Sequence, residues 1–203
     1  DKGLSTAAPK LPTKRLRWVS MESNEKTLAF ALIEIDRMAC ALKLPNDIKE
    51  ATSLLYRKAA KQNLIKGRSI EELTSAMIYI TCRQYGVPRT LKEIVRVSKM
   101  DLKKIRKAYS FLKKKLDIRL MPAEPSEYVP RFCSELGLSD SIREKAIKLL
   151  KENSTISSKG GSPVVVAASA IYVASGGNVD INEIAKVAGT TSVSILNNTQ
   201  KLI

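Results

Sequence analysis

The sequence has no histidine, few aromatic residues and few cysteines. Among its 203 residues are three cysteines, and Phe, Trp and Tyr together make up 5%. Without histidine, and with Cys40, Cys82 and Cys133 far apart, neither a zinc knuckle nor a His-based site can be assembled. We therefore predict no metal, no cofactor and no enzymatic activity. The cysteines are expected to be buried thiols, because free cysteine behaves as a small hydrophobic residue.

Long apolar runs are also missing. A membrane-crossing helix needs about 18 or more predominantly apolar residues, and the sequence has no such run. The N-terminus carries Pro9, Lys10, Pro12 and Lys14, where a secretory signal would be apolar. We expect an intracellular protein without a secretion signal or a membrane-spanning segment. The scarcity of aromatic residues leaves Leu, Ile, Val and Ala to fill the core, which favours packed helices.

Two segments of the chain occur twice, far apart in the sequence. Residues 75–80 (SAMIYI) match residues 168–173 (ASAIYV) at an offset of 93, and residues 91–97 (LKEIVRV) match residues 181–187 (INEIAKV) at an offset of 90. This period is too long for a solenoid unit of roughly 20 to 50 residues, but it suits two small domains. We predict an N-terminal segment at 1–22, a first repeat at 23–119, a linker at 120–125 and a second repeat at 126–203.

Apolar periodicity and capping residues predict five helices in each repeat and an all-α fold. Ser69, Thr90, Asp101, Asp180 and Thr191 each stand directly before a helical pattern and are expected to cap it. The third helix of each repeat is apolar on several sides, so it should be the buried helix of its bundle.

The same spacing predicts which faces are buried. The second helix of the first repeat is expected to turn inward Ile48, Ala51, Leu54, Leu55 and Ala59. The fifth helix has an apolar seam with steps of three and four residues, formed by Leu102, Ile105, Tyr109, Leu112 and Leu116.

The positive charge lies in the first part of the chain. Residues 1–119 hold 27 Lys and Arg against 12 Asp and Glu, whereas residues 120–203 hold eight of each. Such a field attracts polyanions. Nucleic acid is the obvious one, with an acidic protein surface or an anionic membrane as alternatives. The fifth helix carries a basic surface, which is either a solvated face or a contact for a polyanion, at Lys103, Lys104, Arg106 and Lys107.

The end of the second repeat has the spacing of a helix-turn-helix. Residues 181–188 and 191–202 predict two helices joined by a tight turn at Gly189. Ile195 and Leu202 align with buried positions of the first repeat. The outer face then carries the candidate DNA-binding residues Val193, Ser194, Asn197, Asn198 and Gln200. Asn and Gln can pair with adenine, and Val can contact a thymine methyl. From geometry alone, DNA reading and helix packing are both open.

Several short motifs resemble one family. In the first repeat they are GRSIE at 67–71, CRQ at 82–84 and VPRTL at 87–91, and in the second PSEYVPRF at 125–132 and SELGL at 134–138. The N-terminus adds DKGLS at 1–5 and RLRW at 15–18. Over nearly the whole chain, these motifs resemble the core of the B-class transcription initiation factor, called TFB in archaea and TFIIB in eukaryotes.

The resemblance implies two cyclin-like five-helix repeats that clamp the complex of TATA-binding protein and bent promoter DNA. Arg68 aligns with a DNA-backbone contact of the family, and the basic surface would contact DNA phosphates or the TATA-binding protein. The last helix would lie in the major groove of an upstream B recognition element. The N-terminal segment would face RNA polymerase, which such a factor recruits and orients, through Lys2, Arg15, Arg17 and Trp18. The chain would act as a monomer in the archaeal cytoplasm, associated with the nucleoid.

Two features depart from the family pattern. The 203 residues do not include the family's zinc ribbon, which docks on polymerase, and the stretch between Ser5 and Arg15 is shorter than in the family. Leu196 stands where the family usually has Arg, which removes a donor that could read guanine or hold a phosphate. The alternative function is a cyclin-like protein-interaction module that regulates a kinase without binding DNA.

Overall fold

The computed structural model describes residues 23–153 and 162–202, and these form ten α-helices and no β-strand. The first five are α1 (Ser23–Ala41), α2 (Asn46–Lys61), α3 (Ile70–Gln84), α4 (Leu91–Ser98) and α5 (Leu102–Lys115). The next five are α6 (Pro125–Glu135), α7 (Asp140–Glu152), α8 (Pro163–Ala174), α9 (Ile181–Ala188) and α10 (Ser192–Leu202). The predicted all-helical class is confirmed.

The third helix of each repeat is its central helix. α3 packs against α1, α2, α4 and α5, and α8 packs in the same way against α6, α7, α9 and α10. Residues 73–78 and 166–171 are buried without interruption, as expected for helices that are apolar on several sides. The other four helices of each repeat therefore surround a central buried helix.

Side-chain caps begin five helices at the predicted residues. Ser69 and Thr90 accept hydrogen bonds from the backbone N–H three positions on, at 3.4 and 3.2 Å. Asp101 and Asp180 accept from the N–H two positions on, at 2.7 and 2.9 Å, and Thr191 accepts from three positions on at 3.3 Å. These bonds satisfy amides that the first turn of a helix leaves unpaired. The short helices α4 and α9 therefore begin at defined residues.

The inward face of α2 differs from the prediction at Leu54. The Leu54 side chain is 62% exposed, whereas Thr52 and Tyr56 are fully buried. The Thr52 hydroxyl donates to the carbonyl of Ile48 at 2.7 Å and lies 2.7 Å from the Thr81 hydroxyl. Burying a hydroxyl costs little when it is hydrogen-bonded. α2 therefore turns its Thr52 side inward and Leu54 outward.

Two of the cysteines are buried as predicted, and the prediction was wrong for Cys40. Cys40 is exposed, because the buried stripe of α1 runs through Met38 and Ala39 instead. Burial raises the pKa of the Cys82 thiol to about 12 and also raises the pKa of Cys133. Both buried thiols therefore stay protonated at neutral pH and act as core residues.

Candidate nucleic-acid interface

α9, a tight turn and α10 form a helix-turn-helix. α9 ends at Ala188, and the next residue, Gly189, has a left-handed conformation (φ 64°, ψ 33°) that glycine adopts without Cβ strain. Thr191 then caps α10. The inward side of α10 is fixed by the buried Ile195 and Leu202 and by the Ser169 hydroxyl of α8, which donates to the carbonyl of Ile195 at 3.0 Å. The orientation of α10 about its own axis is therefore determined by packing.

Four exposed side chains of α10 form one stripe, here called the α10 stripe. Val193, Leu196, Asn197 and Gln200 are all exposed, and their spacing puts them on one side of the helix. Val193 and Leu196, which are 63% and 46% exposed, give the stripe an apolar end beside the two amides. The structure thus brings together three predicted DNA-binding residues and adds Leu196. Its spacing of three residues from Val193 was the signal in the sequence.

The other two predicted residues of α10 lie beside the stripe. Ser194 is half-buried, and its hydroxyl lies 2.8 Å from that of Thr191. Asn198 is also half-buried, and its Oδ1 has no hydrogen-bond partner within the described part of the chain. A step of 100° per residue carries both positions away from Val193 toward the flank of the helix. The α10 stripe is thus the more accessible part of the predicted set.

The predicted basic surface lies along α5. Its members are the exposed side chains Lys103, Lys104, Arg106 and Lys107. Ile105 and Leu112 are fully buried, so helical geometry turns these cations away from the core. Lys104 Nζ lies 3.7 Å from Glu72 Oε1 of α3, and Arg106 lines a cavity between the repeats. The basic surface therefore extends from the outer side of α5 to the edge of that cavity.

Arg68 lies against α5 through an aromatic contact. Its guanidinium carbon is 3.6 Å from the centroid of the Phe111 ring, which is a cation–π stack. Arg68 is nevertheless exposed, and it follows a turn at Gly67 with φ 70°. Stacking on a ring that α5 holds in place limits the orientations of the guanidinium. Arg68 is therefore presented beside the basic surface.

The cavity between the repeats that Arg106 lines has a volume of about 380 Å³, and the charged side chains in its wall are all basic. Its wall includes Arg83, Lys92 and Arg106 together with Tyr128 and the first turn of α8. The start of a helix adds the positive end of its dipole to these cations. Burial raises the pKa of Tyr128 to about 12, so its hydroxyl brings no negative charge at neutral pH.

The predicted polymerase-facing residues Lys2, Arg15, Arg17 and Trp18 lie outside the described residues. Within residues 23–153 and 162–202, no group of three or more His, Cys, Asp or Glu side chains could hold a metal ion. None of the helices in these ranges combines the length and the apolar composition that crossing a membrane requires.

Two tandem cyclin-like five-helix repeats, the second closed by a helix-turn-helix, define the class of this protein. The family described as Transcription factor TFIIB repeat matches residues 24–115 and again residues 119–202. The chain therefore belongs to the TFIIB-repeat family, and the resemblance of its motifs is confirmed. The two matched ranges also account for the internal duplication.

Curated archaeal relatives carry the name Transcription initiation factor IIB. The chain is 48% identical over 185 residues to the protein of Archaeoglobus fulgidus, an alignment that covers 89% of the chain and 56% of the relative. Identity is 46% over 184 residues with the Methanosarcina mazei protein and 46% over 187 residues with that of Methanococcus maripaludis. Each of these alignments covers 89% of the chain and 55% of the relative. The chain thus spans just over half the length of the relatives it matches. These relatives are named as transcription initiation factors, a non-enzymatic family, which agrees with the prediction of no enzymatic activity.

Proposed function

We propose that this chain is the promoter-binding core of a general transcription initiation factor. It would bind the complex of TATA-binding protein and promoter DNA and contact the DNA that flanks the TATA box. It would also help to recruit and orient RNA polymerase. The names of the archaeal relatives support the general role. The division of the exposed surface between the two repeats carries the finer proposal.

The first repeat is suited to phosphates and the second to bases. Cations on α5 and the stacked Arg68 form a sequence-independent surface, since Lys and Arg contacts to phosphate fix position without reading bases. The second repeat has no net charge excess and exposes the α10 stripe at the end of a helix-turn-helix. Aliphatic and amide side chains on such a helix can read thymine methyl groups and adenine edges in the major groove. We therefore propose that α10 reads the B recognition element upstream of the TATA box.

The proposed organisation assigns a separate role to each part of the chain. Residues 23–119 would hold phosphates and the TATA-binding protein, and residues 126–203 would sample upstream bases across the linker at 120–125. Residues 1–22 would face polymerase through the cations and the single tryptophan named above. The factor would act as a monomer, in the cytoplasm and on the nucleoid of an archaeal cell.

A gel-shift titration tests the proposal directly. The chain is titrated onto a duplex containing a TATA box and its upstream flank, with and without an archaeal TATA-binding protein. We expect a complex at much lower chain concentration when the TATA-binding protein is present. Equal affinity in both series would contradict the clamp. A kinase-regulating module would give no shift in either series.

Matched variants separate the two repeats. Lys103→Glu combined with Lys104→Glu should weaken the complex on every promoter alike, because phosphate contacts carry no sequence information. Lys145→Glu combined with Lys148→Glu makes the same charge change on the exposed side of the neutral repeat and should have a smaller effect. Asn197→Ala should instead change the ranking of upstream sequences. An unchanged ranking would mean that α10 does not read bases.

A further inference from the structure

The two repeats are joined by polar contacts that come from two adjacent residues of α4. Glu93 forms a two-pronged ion pair with Arg131 of α6, with Nη1–Oε1 at 2.7 Å and Nη2–Oε2 at 3.2 Å. The Nζ of Lys92 donates to the carbonyl of Gly189 at 2.7 Å. The first contact holds the opening helix of the second repeat, and the second reaches the turn that precedes α10.

Both members of the ion pair are already held by their own repeat. Oε2 of Glu93 accepts hydrogen bonds of 2.7 Å from the backbone N–H and from the hydroxyl of Thr90, which form part of the cap of α4. Arg131 also bonds Glu135 at 2.9 Å, and its guanidinium lies 4.9 Å from the centroid of the Phe132 ring. The Arg131 and Glu93 side chains are only 16% and 21% exposed. Little side-chain freedom is therefore lost on pairing, and solvent screens the pair weakly.

No shared hydrophobic core fixes the angle between the repeats within the described residues. Each buried apolar cluster lies inside one repeat, and the cavity of about 380 Å³ separates the two on one side. Glu183, the counterpart of Glu93 at the 90-residue offset, is exposed. The ion pair of Glu93 therefore has no equivalent at Glu183, so the fold of a single repeat does not require it.

We propose that Arg131, Glu93 and Lys92 are positioning residues that hold the second repeat at a fixed angle to the first. The two contacts to α4 set where α6 and the turn before α10 lie relative to α5. The α10 stripe and the basic surface are thereby presented together to one duplex. The fixed angle is inferred from these contacts, which act beside a bond from the Arg83 guanidinium to the carbonyl of Met121 in the linker. Its consequence for DNA binding rests on the proposed function.

Distance measurements between the repeats test the fixed angle in the free chain. Spin labels are placed at Lys58→Cys on α2 and Lys148→Cys on α7, in a Cys40→Ser background, and the distance distribution is measured by double electron–electron resonance. We expect a narrow distribution in the parent chain and a broad one with Arg131→Met. Arg143→Met, which removes an ion pair of 2.9 Å to a residue of its own helix, is the matched control and should leave the distribution narrow. A distribution that stays narrow with Arg131→Met would overturn the proposal.

Two further variants cover a failure of Arg131→Met to fold. Arg131→Lys keeps one charge-assisted bond and should restore most of the narrow distribution, whereas Lys92→Met, at an exposed position, should broaden it. In gel shifts with the TATA-binding protein, Arg131→Met should bind promoter DNA about tenfold more weakly. A tenfold loss corresponds to a coupling of about 1.4 kcal/mol between the paired residues. If the parent chain binds no promoter, the proposed function fails while the distance distribution still decides the fixed angle.

Discussion

Lys99 and Gly189 occupy equivalent positions 90 residues apart, and both adopt the left-handed conformation that ends a helix. Lys99 has φ 56° and ψ 21° at the end of α4, and Gly189 has φ 64° and ψ 33° at the end of α9. A side chain in this region places Cβ close to the following carbonyl oxygen, which costs about 1 kcal/mol or more. Glycine avoids that cost. The second repeat therefore uses the unstrained residue at the turn of its helix-turn-helix, and the first repeat carries the strain.

Replacing Lys99 should reveal this strain. Lys99→Gly and Lys99→Ala both remove a cation from the end of α4, so their comparison isolates the backbone. We expect the glycine variant to be more stable than the alanine variant by about 1 kcal/mol. The free energy of unfolding in urea, measured for both variants, checks this. Equal stabilities would mean that the turn relaxes out of the left-handed region when Lys99 is changed.

At the scale of one element, α10 differs from a usual DNA-reading helix because its stripe carries no cation. Leu196, 46% exposed and one turn from Val193, is an apolar side chain at the centre of this stripe. Without an arginine or lysine of its own, the stripe lacks the donor pair that recognises guanine O6 and N7, and the exposed Lys201 lies in the last turn of the helix. The remaining side chains suit A·T pairs, through the thymine methyl and the adenine edge.

Leu196→Arg should therefore change the bases that α10 prefers. We expect the variant to gain about 1–3 kcal/mol of discrimination for a guanine in the upstream flank. Competition gel shifts with a panel of flank sequences, all in the presence of TATA-binding protein, measure this ranking. Asn182→Arg adds the same charge on the exposed side of α9 and should strengthen binding to all flanks alike. A uniform gain with Leu196→Arg would show that residue 196 meets the DNA backbone and not a base.

Elements whose start depends on local chemistry could be predicted from the sequence, and contacts across the fold could not. Thr90, Asp101 and Asp180 cap their helices as predicted, because a cap needs only neighbouring amides. A hydrophobicity pattern ranks Leu54 above Thr52 as an inward residue, since it cannot see the hydroxyl of Thr81 that makes Thr52 cheap to bury. Within the candidate site, buried Ile195 predicted the outer face of α10.

The ion pair between the repeats could not be predicted from the sequence, because it joins residues that are far apart in the chain. Arg131 and Glu93 are 38 residues apart and lie on different helices. The sequence pattern around one residue therefore does not predict that it pairs with the other. Their separate motifs could be matched to a family. Only the packed structure shows that they meet.

At the scale of the whole molecule, the proposed function places the phosphate contacts in the first repeat. Residues 120–203 hold eight basic and eight acidic side chains, so the excess of the chain lies in residues 1–119. Phosphate contacts release counterions, whereas contacts of neutral side chains with bases do not. The salt dependence of promoter binding should therefore depend on α5 and hardly at all on the second repeat.

Salt titrations of promoter binding test this division of charge. Lys103→Gln combined with Lys104→Gln should reduce the slope of log K against log salt by about 1.8, because each phosphate contact contributes about 0.9. Lys145→Gln combined with Lys148→Gln removes the same charge from the exposed side of the second repeat and should leave the slope close to that of the parent. The measurement is a series of gel shifts with TATA-binding protein over a range of salt concentrations. Equal reductions in both double variants would contradict the division, since a uniform field would then attract DNA without any contact specific to α5.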